Sequence, residues 1–214
     1  MQNSKFPLII LGLLALVLGI LSANMGLLTG KDDSKGSAKI VQLETATVLN
    51  PARPVTEFSL LDHKGQAFTK ANLQGKHSIL FFGFINCPDI CPGTLQFLTS
   101  VKKNIIEAQQ WDNFQVVFVS VDPARDTVEN MAQYVPYFDQ EFIGVTGSIE
   151  SIDAFAKSVS MPYSIGEKDK NGHYNVDHSA SFLVMNEQGN IKAIISQPQT
   201  LAAISSDLLA IPSL

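Results

Sequence analysis

The chain has 214 residues, with 15 Lys and Arg against 20 Asp and Glu and a formal charge of −5. An acidic balance without a basic patch argues against a nucleic-acid binder. The only two cysteines are too few for a disulfide framework, so they are expected to be a pair with a purpose.

Lys5 precedes an apolar run from Phe6 to Leu21, which continues more weakly through Met25, Leu27 and Leu28 with no charge before Lys31. A helix of ~20 such residues spans the roughly 30 Å hydrocarbon core of a bilayer. The run is long for a signal peptide, and Leu21-Ser22-Ala23 lacks a small residue at its first position. Residues 1–29 therefore read as an uncleaved N-terminal transmembrane helix with the globular part exported. Residues 30–50 are polar and read as a flexible tether. Loose alternation within 40–49 also fits an early strand. Residues 51–214 are expected to be one domain.

Within it, 58–69 predicts a hairpin turning at 62–65. The unbroken apolar run 78–84 predicts a strand covered on both faces. A helix over 92–109 follows, with Leu95, Leu98, Val101 and Ile105 on one face. Residues 115–121 form a second buried strand, and Thr127 or Asp126 caps a helix over 128–134. A short strand at 142–145 and a helix capped by Ser148 come next. A polar turn at Asn171-Gly172, strands at 181–185 and 191–196, and a helix over 200–210 complete the order. The succession predicts an α/β domain with a central mixed sheet flanked by helices.

The chemistry centres on Cys87-Pro88-Asp89-Ile90-Cys91-Pro92, between the first buried strand and its helix. Cysteines four apart on helix-like backbone share one face, so their sulfurs can meet one ion or oxidise to each other. A helix start also favours thiolate. Two thiolates and one imidazole would suit copper, since soft thiolates select Cu(I) and imidazole also suits Cu(II). Among His63, His77, His173 and His178, the best third ligand is His178, at the end of a polar loop before a strand. His63 and His77 read as surface turn residues. Asp177 and Asp89 neighbour the ligands and are candidates to orient them. Asp122 and Asp126 read most simply as turn formers and caps, on the sheet edge where α/β ligand sites cluster.

At these residues the chain resembles the Sco/SenC family, the membrane-anchored thioredoxin-fold copper proteins that help assemble cytochrome c oxidase. The matching blocks are Phe81-Phe82-Gly83-Phe84, Cys87-Pro88-Asp89-Ile90-Cys91-Pro92, Ser120-Val121-Asp122-Pro123-Ala124-Arg125-Asp126-Thr127, Ile143-Gly144-Val145-Thr146-Gly147 and Asp177-His178-Ser179-Ala180. Ile85 stands where the family usually has Thr, and Val128 where Pro is common. The resemblance implies a thioredoxin-like fold and a copper set of Cys87, Cys91 and His178. It also implies delivery of copper to the copper-containing subunit of cytochrome c oxidase. The globular domain would then face the periplasm from a bacterial inner membrane.

Such a carrier is not an enzyme. The alternative is a membrane-anchored thiol-disulfide reductase that uses Cys87 and Cys91 as a redox-active disulfide to keep the oxidase cysteines reduced. Against a general thioredoxin stand the three residues between the cysteines and Ser179 in place of Pro. A peroxiredoxin is disfavoured because Leu80 and Phe84 occupy the Pro and Thr positions before Cys87.

Overall fold

The structure is a computed structural model that describes residues 39–197 and 199–214. In chain order its strands are β1 (Lys39–Gln42), β2 (Ala46–Arg53), β3 (Ser59–Asp62), β4 (Ala67–Thr69), β5 (His77–Gly83), β6 (Phe114–Ser120), β7 (Ile143–Thr146), β8 (Tyr163–Ile165), β9 (Val176–His178), β10 (Phe182–Met185) and β11 (Ile191–Ile195). Its α-helices are α1 (Ile90–Glu107), α2 (Val128–Phe138), α3 (Ile149–Ser158) and α4 (Leu201–Ala210).

Nine strands form one mixed sheet in the order β1-β2-β11-β10-β5-β6-β7-β3-β4. β5, β6 and β7 run parallel, and β10 lies antiparallel to β5. Every residue of β5 is buried, which explains why its sequence lacks polar alternation. Its side chains still divide between two faces. Phe82 stacks on Phe155 of α3 at 5.9 Å, whereas Phe81 meets Phe118 and Phe182 on the other side, each at 5.8 Å. α1 crosses from β5 to β6 and buries Cys91, Leu95, Leu98, Val101 and Ile105 along one stripe. The expected stripe and the central mixed sheet are both present.

The boundaries differ in two places. Residues 39–50, placed within the tether but with an early strand expected over 40–49, belong to the sheet. β1 and β2 form a hairpin, and β2 pairs with β11. The cause is distant in sequence: the buried Asp207 of α4 accepts the backbone N–H groups of Glu44, Thr45 and Ala46 and the Thr45 hydroxyl, at 2.6–3.3 Å. The domain thus begins before residue 51. α2 also continues past Tyr134, through Pro136, to Phe138. Its last turn is held by Tyr134 packing on Phe138 at 5.1 Å and by the Thr99 hydroxyl donating to the Phe138 carbonyl.

The expected anchor, 1–29, and the first part of the tether lie outside the described residues. Among the described residues no helix is long and apolar enough to cross a membrane.

Asp207 gives a direct test of the N-terminal hairpin. Asp207→Ala strands buried backbone donors and should lower the unfolding free energy by about 3 kcal/mol in urea denaturation. A loss below about 1 kcal/mol would show that water replaces the carboxylate.

Candidate metal centre

The site lies where β5 ends and α1 begins. Thr127, Ser148 and Thr200 cap their helices by side-chain bonds, but the N-cap of α1, Asp89, makes none. A sulfur serves there instead. The Cys91 N–H donates to Cys87 Sγ at 3.5 Å, with the backbone N–H groups of Asp89 and Ile90 also directed to it. An anion at the helix start is favoured by these unpaired donors. Burial alone would push the Cys87 thiol up, but these N–H groups, together with a hydrogen bond from the Cys91 side chain, outweigh it and hold it below its ordinary value. Cys91, in the first helical turn, is fully buried. Burial, followed by the neighbouring Cys87, pushes its thiol up to about 12 against a hydrogen bond from the Phe84 backbone.

Gly83 creates the space for the inner thiol. A Cβ there would lie 2.9 Å from Cys91 Sγ and 2.7 Å from the Phe118 ring. Glycine is required for this close approach rather than for a turn.

His178 arrives from β9 and is half-buried. Its Nε2 lies 3.6 Å from Cys91 Sγ, and its Nδ1 lies 3.0 Å from the Ser179 carbonyl. That carbonyl takes an N–H from Nδ1, which leaves Nε2 as the lone-pair nitrogen facing sulfur. Phe81 and Phe84 meet the imidazole edge-on at 6.0 and 5.9 Å.

Cys91 and His178 are therefore brought together, and Cys87 touches the backbone of Cys91. Both thiols are free. Among the described residues no three His, Cys, Asp or Glu side chains already converge as a metal cage. The two carboxylates expected beside the ligands stand elsewhere. Asp177 is exposed and alternates with His178 along β9, and the Ser179 carbonyl occupies the orienting position on Nδ1. Asp89 is exposed and contributes its backbone N–H to Cys87 rather than its carboxylate.

His63 and His77, expected at the surface, are buried. His63 Nδ1 accepts the Gly144 N–H at 3.0 Å, and His77 packs on Phe114. His173 is exposed beside Asp169.

Four further residues shape the site. Asp126 is fully buried and accepts the Ile85 N–H at 3.0 Å and the Ser120 hydroxyl at 2.6 Å, tying the cysteine loop to β6. Burial pushes its carboxyl up to about 6 in spite of these bonds. Asp122, also fully buried, accepts Arg125 Nε and the Tyr174 hydroxyl. Tyr134, beside Ile85 and Asn86, has a buried hydroxyl without a partner; burial and then the two cysteines push its pKa up. The motif block containing Asp122, Arg125 and Asp126 marked three of these four in sequence, but not the partners that give them their roles.

A dithiol at the end of a central strand, with its helix behind it, defines a thioredoxin-like thiol protein, here with an imidazole facing the inner sulfur. The sequence profile of SCO1/SenC matches residues 47–211, and the chain belongs to that family. It is 41% identical over 133 residues to the mitochondrial protein SCO2 homolog of Mus musculus, covering 62% of this chain and 52% of that one. It is 33% identical to a putative copper-binding protein of Stutzerimonas stutzeri, covering 70% of this chain and 72% of that one. The copper-bound crystal structure of Arabidopsis thaliana ScoI superposes with a TM-score of 0.69 at 35% identity, covering 73% of this chain and 96% of that one. The chain spans about half the length of the mitochondrial SCO2 homologues it matches.

The unequal thiols predict ordered alkylation. As pH rises in the reduced protein, iodoacetamide should modify Cys87 first, because its thiolate forms at lower pH. Cys91 should stay unmodified through the neutral range, since its proton is lost only near pH 12. Peptide mass mapping reads the order; equal rates at neutral pH would contradict the electrostatic asymmetry.

Proposed function

We propose that this protein is a copper carrier in which Cys87, Cys91 and His178 hold the ion as cargo and release it by ligand exchange. The observation that carries this reading is the approach of His178 Nε2 to Cys91 Sγ at 3.6 Å, beside a second thiol. Two thiolates and an imidazole form a soft, three-donor set suited to Cu(I), and the imidazole also suits Cu(II). Binding requires both thiols to lose their protons, so metal uptake displaces protons from sulfur. The Stutzerimonas relative is a putative copper-binding protein and the Arabidopsis ScoI structure has copper bound, which supports this ion over zinc. A closed zinc site would call for a fourth Cys or His, but His63 Nδ1 is taken by the Gly144 N–H and His77 stands at the start of β5, the end remote from the cysteines.

The acceptor in this reading is the copper-containing subunit of cytochrome c oxidase, as the family resemblance implies. In this reading residues 1–29 supply a single N-terminal membrane anchor, on the strength of the apolar run from Phe6 to Leu21. The globular domain then stands on the exported side, facing the periplasm of a bacterial inner membrane.

The inequality of the thiols favours one second reading, thiol-disulfide exchange. The Cys87 thiolate would attack a target disulfide, forming a mixed disulfide and expelling one target thiolate. Cys91, once deprotonated, would attack Cys87 Sγ, expel the second target thiolate and leave a Cys87–Cys91 disulfide. In that reading the imidazole beside the inner sulfur would be the base that deprotonates Cys91; copper ranks first because the same imidazole would complete a soft three-donor set and the copper-bound ScoI structure shares the fold.

Copper titration of the reduced full chain against a competing chelator separates the readings. One Cu(I) per chain is expected. Cys87→Ser, Cys91→Ser and His178→Ala should each weaken binding by about 10-fold or more, the least expected for loss of a donor. Parent-like affinity in His178→Ala would remove the imidazole from the site. Rapid reduction of a model disulfide with only weak copper binding would favour the reductase.

A further inference from the structure

His178 does not sit on the central sheet. Its strand, β9, pairs only with β8, with His178 opposite Tyr163. A two-stranded ribbon has little stability of its own, so its position is set by what holds it from outside. The imidazole's own hydrogen bond, to the Ser179 carbonyl, runs to the adjacent residue and fixes only the ring relative to its strand.

Val176 of β9 packs into the core, and two tyrosines tie the ribbon down by hydrogen bonds. At its base, the Tyr163 hydroxyl donates to Asp153 of α3 at 2.5 Å. Beyond the strands, the Tyr174 hydroxyl donates to Asp122 Oδ1 at 2.6 Å. The second contact has more parts. Asp122 is fully buried and accepts Arg125 Nε through its other oxygen. The Arg125 guanidinium then lies 3.8 Å from the centre of the Tyr174 ring and 5.7 Å from that of Phe84. Phe84 in turn meets His178 edge-on. One continuous stack thus runs from Asp122 through Tyr174, Arg125 and Phe84 to the imidazole. A cation between two aromatic rings, with its charge answered by a buried carboxylate, resists sliding of either ring.

We propose that Tyr174, gripped by Asp122 and Arg125, is the positioning residue that holds the β8–β9 ribbon against the cysteine edge and so aims His178 at Cys91. The inference rests on the reading of His178 as a copper donor. Tyr174 touches no ligand atom; it acts by restricting where the histidine can be. Loosening it leaves all three donors present while lowering the share of molecules in which they converge.

The test uses the reduced full chain with Tyr174→Leu, which removes both the hydroxyl and the ring, and Tyr174→Phe, which removes only the bond to Asp122. Hydrogen exchange on the metal-free protein should show amides of β8 and β9 exchanging about 10-fold faster in Tyr174→Leu, with β5 and β6 unchanged. Tyr174→Phe should lie between parent and Tyr174→Leu. In chelator competition, Tyr174→Leu should weaken copper binding by about 10-fold, the scale seen when a ligand loses its supporting partner. In a His178→Ala background the same substitution should have no further effect on affinity.

Unchanged ribbon exchange in both variants would overturn the proposal. So would equal copper losses with and without His178, which would mark Tyr174 as merely structural. If Tyr174→Leu fails to fold, Tyr174→Phe carries the same comparisons. If the parent binds no copper, the copper reading falls, and metal-free exchange still decides whether Tyr174 fixes the strand that carries His178.

Discussion

The close approach of the Cys91 sulfur to the backbone of Gly83 sets the geometry of the whole site. Only a residue without a Cβ lets the first turn of α1 settle onto the end of β5, since a methyl group there would collide with the sulfur and with Phe118. Once Cys91 is seated, burial opposes its ionisation. The preceding loop then carries Cys87 to the outside, where it meets the free amides of the helix. Two chemically identical side chains, four residues apart, are shifted in opposite directions, one by burial and the other by hydrogen bonds at the helix start. Pro88 and Pro92 contribute by limiting the backbone between and after them.

A second set of constraints comes from the segment after β6. Thr127 caps α2 by accepting the Asn130 N–H, as its position suggests. That leaves Asp126 available to turn inward, where it receives Ile85 from the cysteine loop and Ser120 from β6. Asp122 reaches the opposite way, to Tyr174 near the ribbon that bears His178. The two carboxylates, four residues apart, therefore hold separate halves of the site. Their cost is visible in the Asp126 pKa, which burial raises, and in its second oxygen, Oδ1, which is buried without a hydrogen-bond partner.

How much of this the sequence discloses depends on the distance over which each feature is determined. β5 and β6 are legible because both faces are covered and their apolar runs are continuous. α3 is legible because Ser148 and the Ile152, Phe155 and Ala156 stripe are local signals. The β1–β2 hairpin is less so, because its turn lacks Gly, Pro or Asn and is held by Asp207, more than 160 residues later. His63 and His77 look like surface turn residues for the same reason: Gly144 and Phe114, which bury them, are remote in the chain. The cysteines and His178 stand out by residue type and motif, whereas Tyr174, in a polar loop, has no local pattern to distinguish it.

Exposure also orders the three proposed donors. Cys87 is partly exposed and interacts mainly with backbone amides, Cys91 is sealed beneath it, and His178 is half-buried between Phe81 and Phe84. An incoming thiolate from an acceptor can approach the outer sulfur without opening the core, whereas Cys91 is fully buried. In the proposed exchange, the outer thiolate is therefore the first bond given up, and the helix amides are ready to stabilise it as it leaves the metal. The inner sulfur has the opposite preference: burial penalises its free anion, so it is the last to part from a cation. The same inequality that would make Cys87 an attacking thiol in disulfide chemistry would give the proposed copper transfer an order, with the exposed sulfur released first and the buried one last.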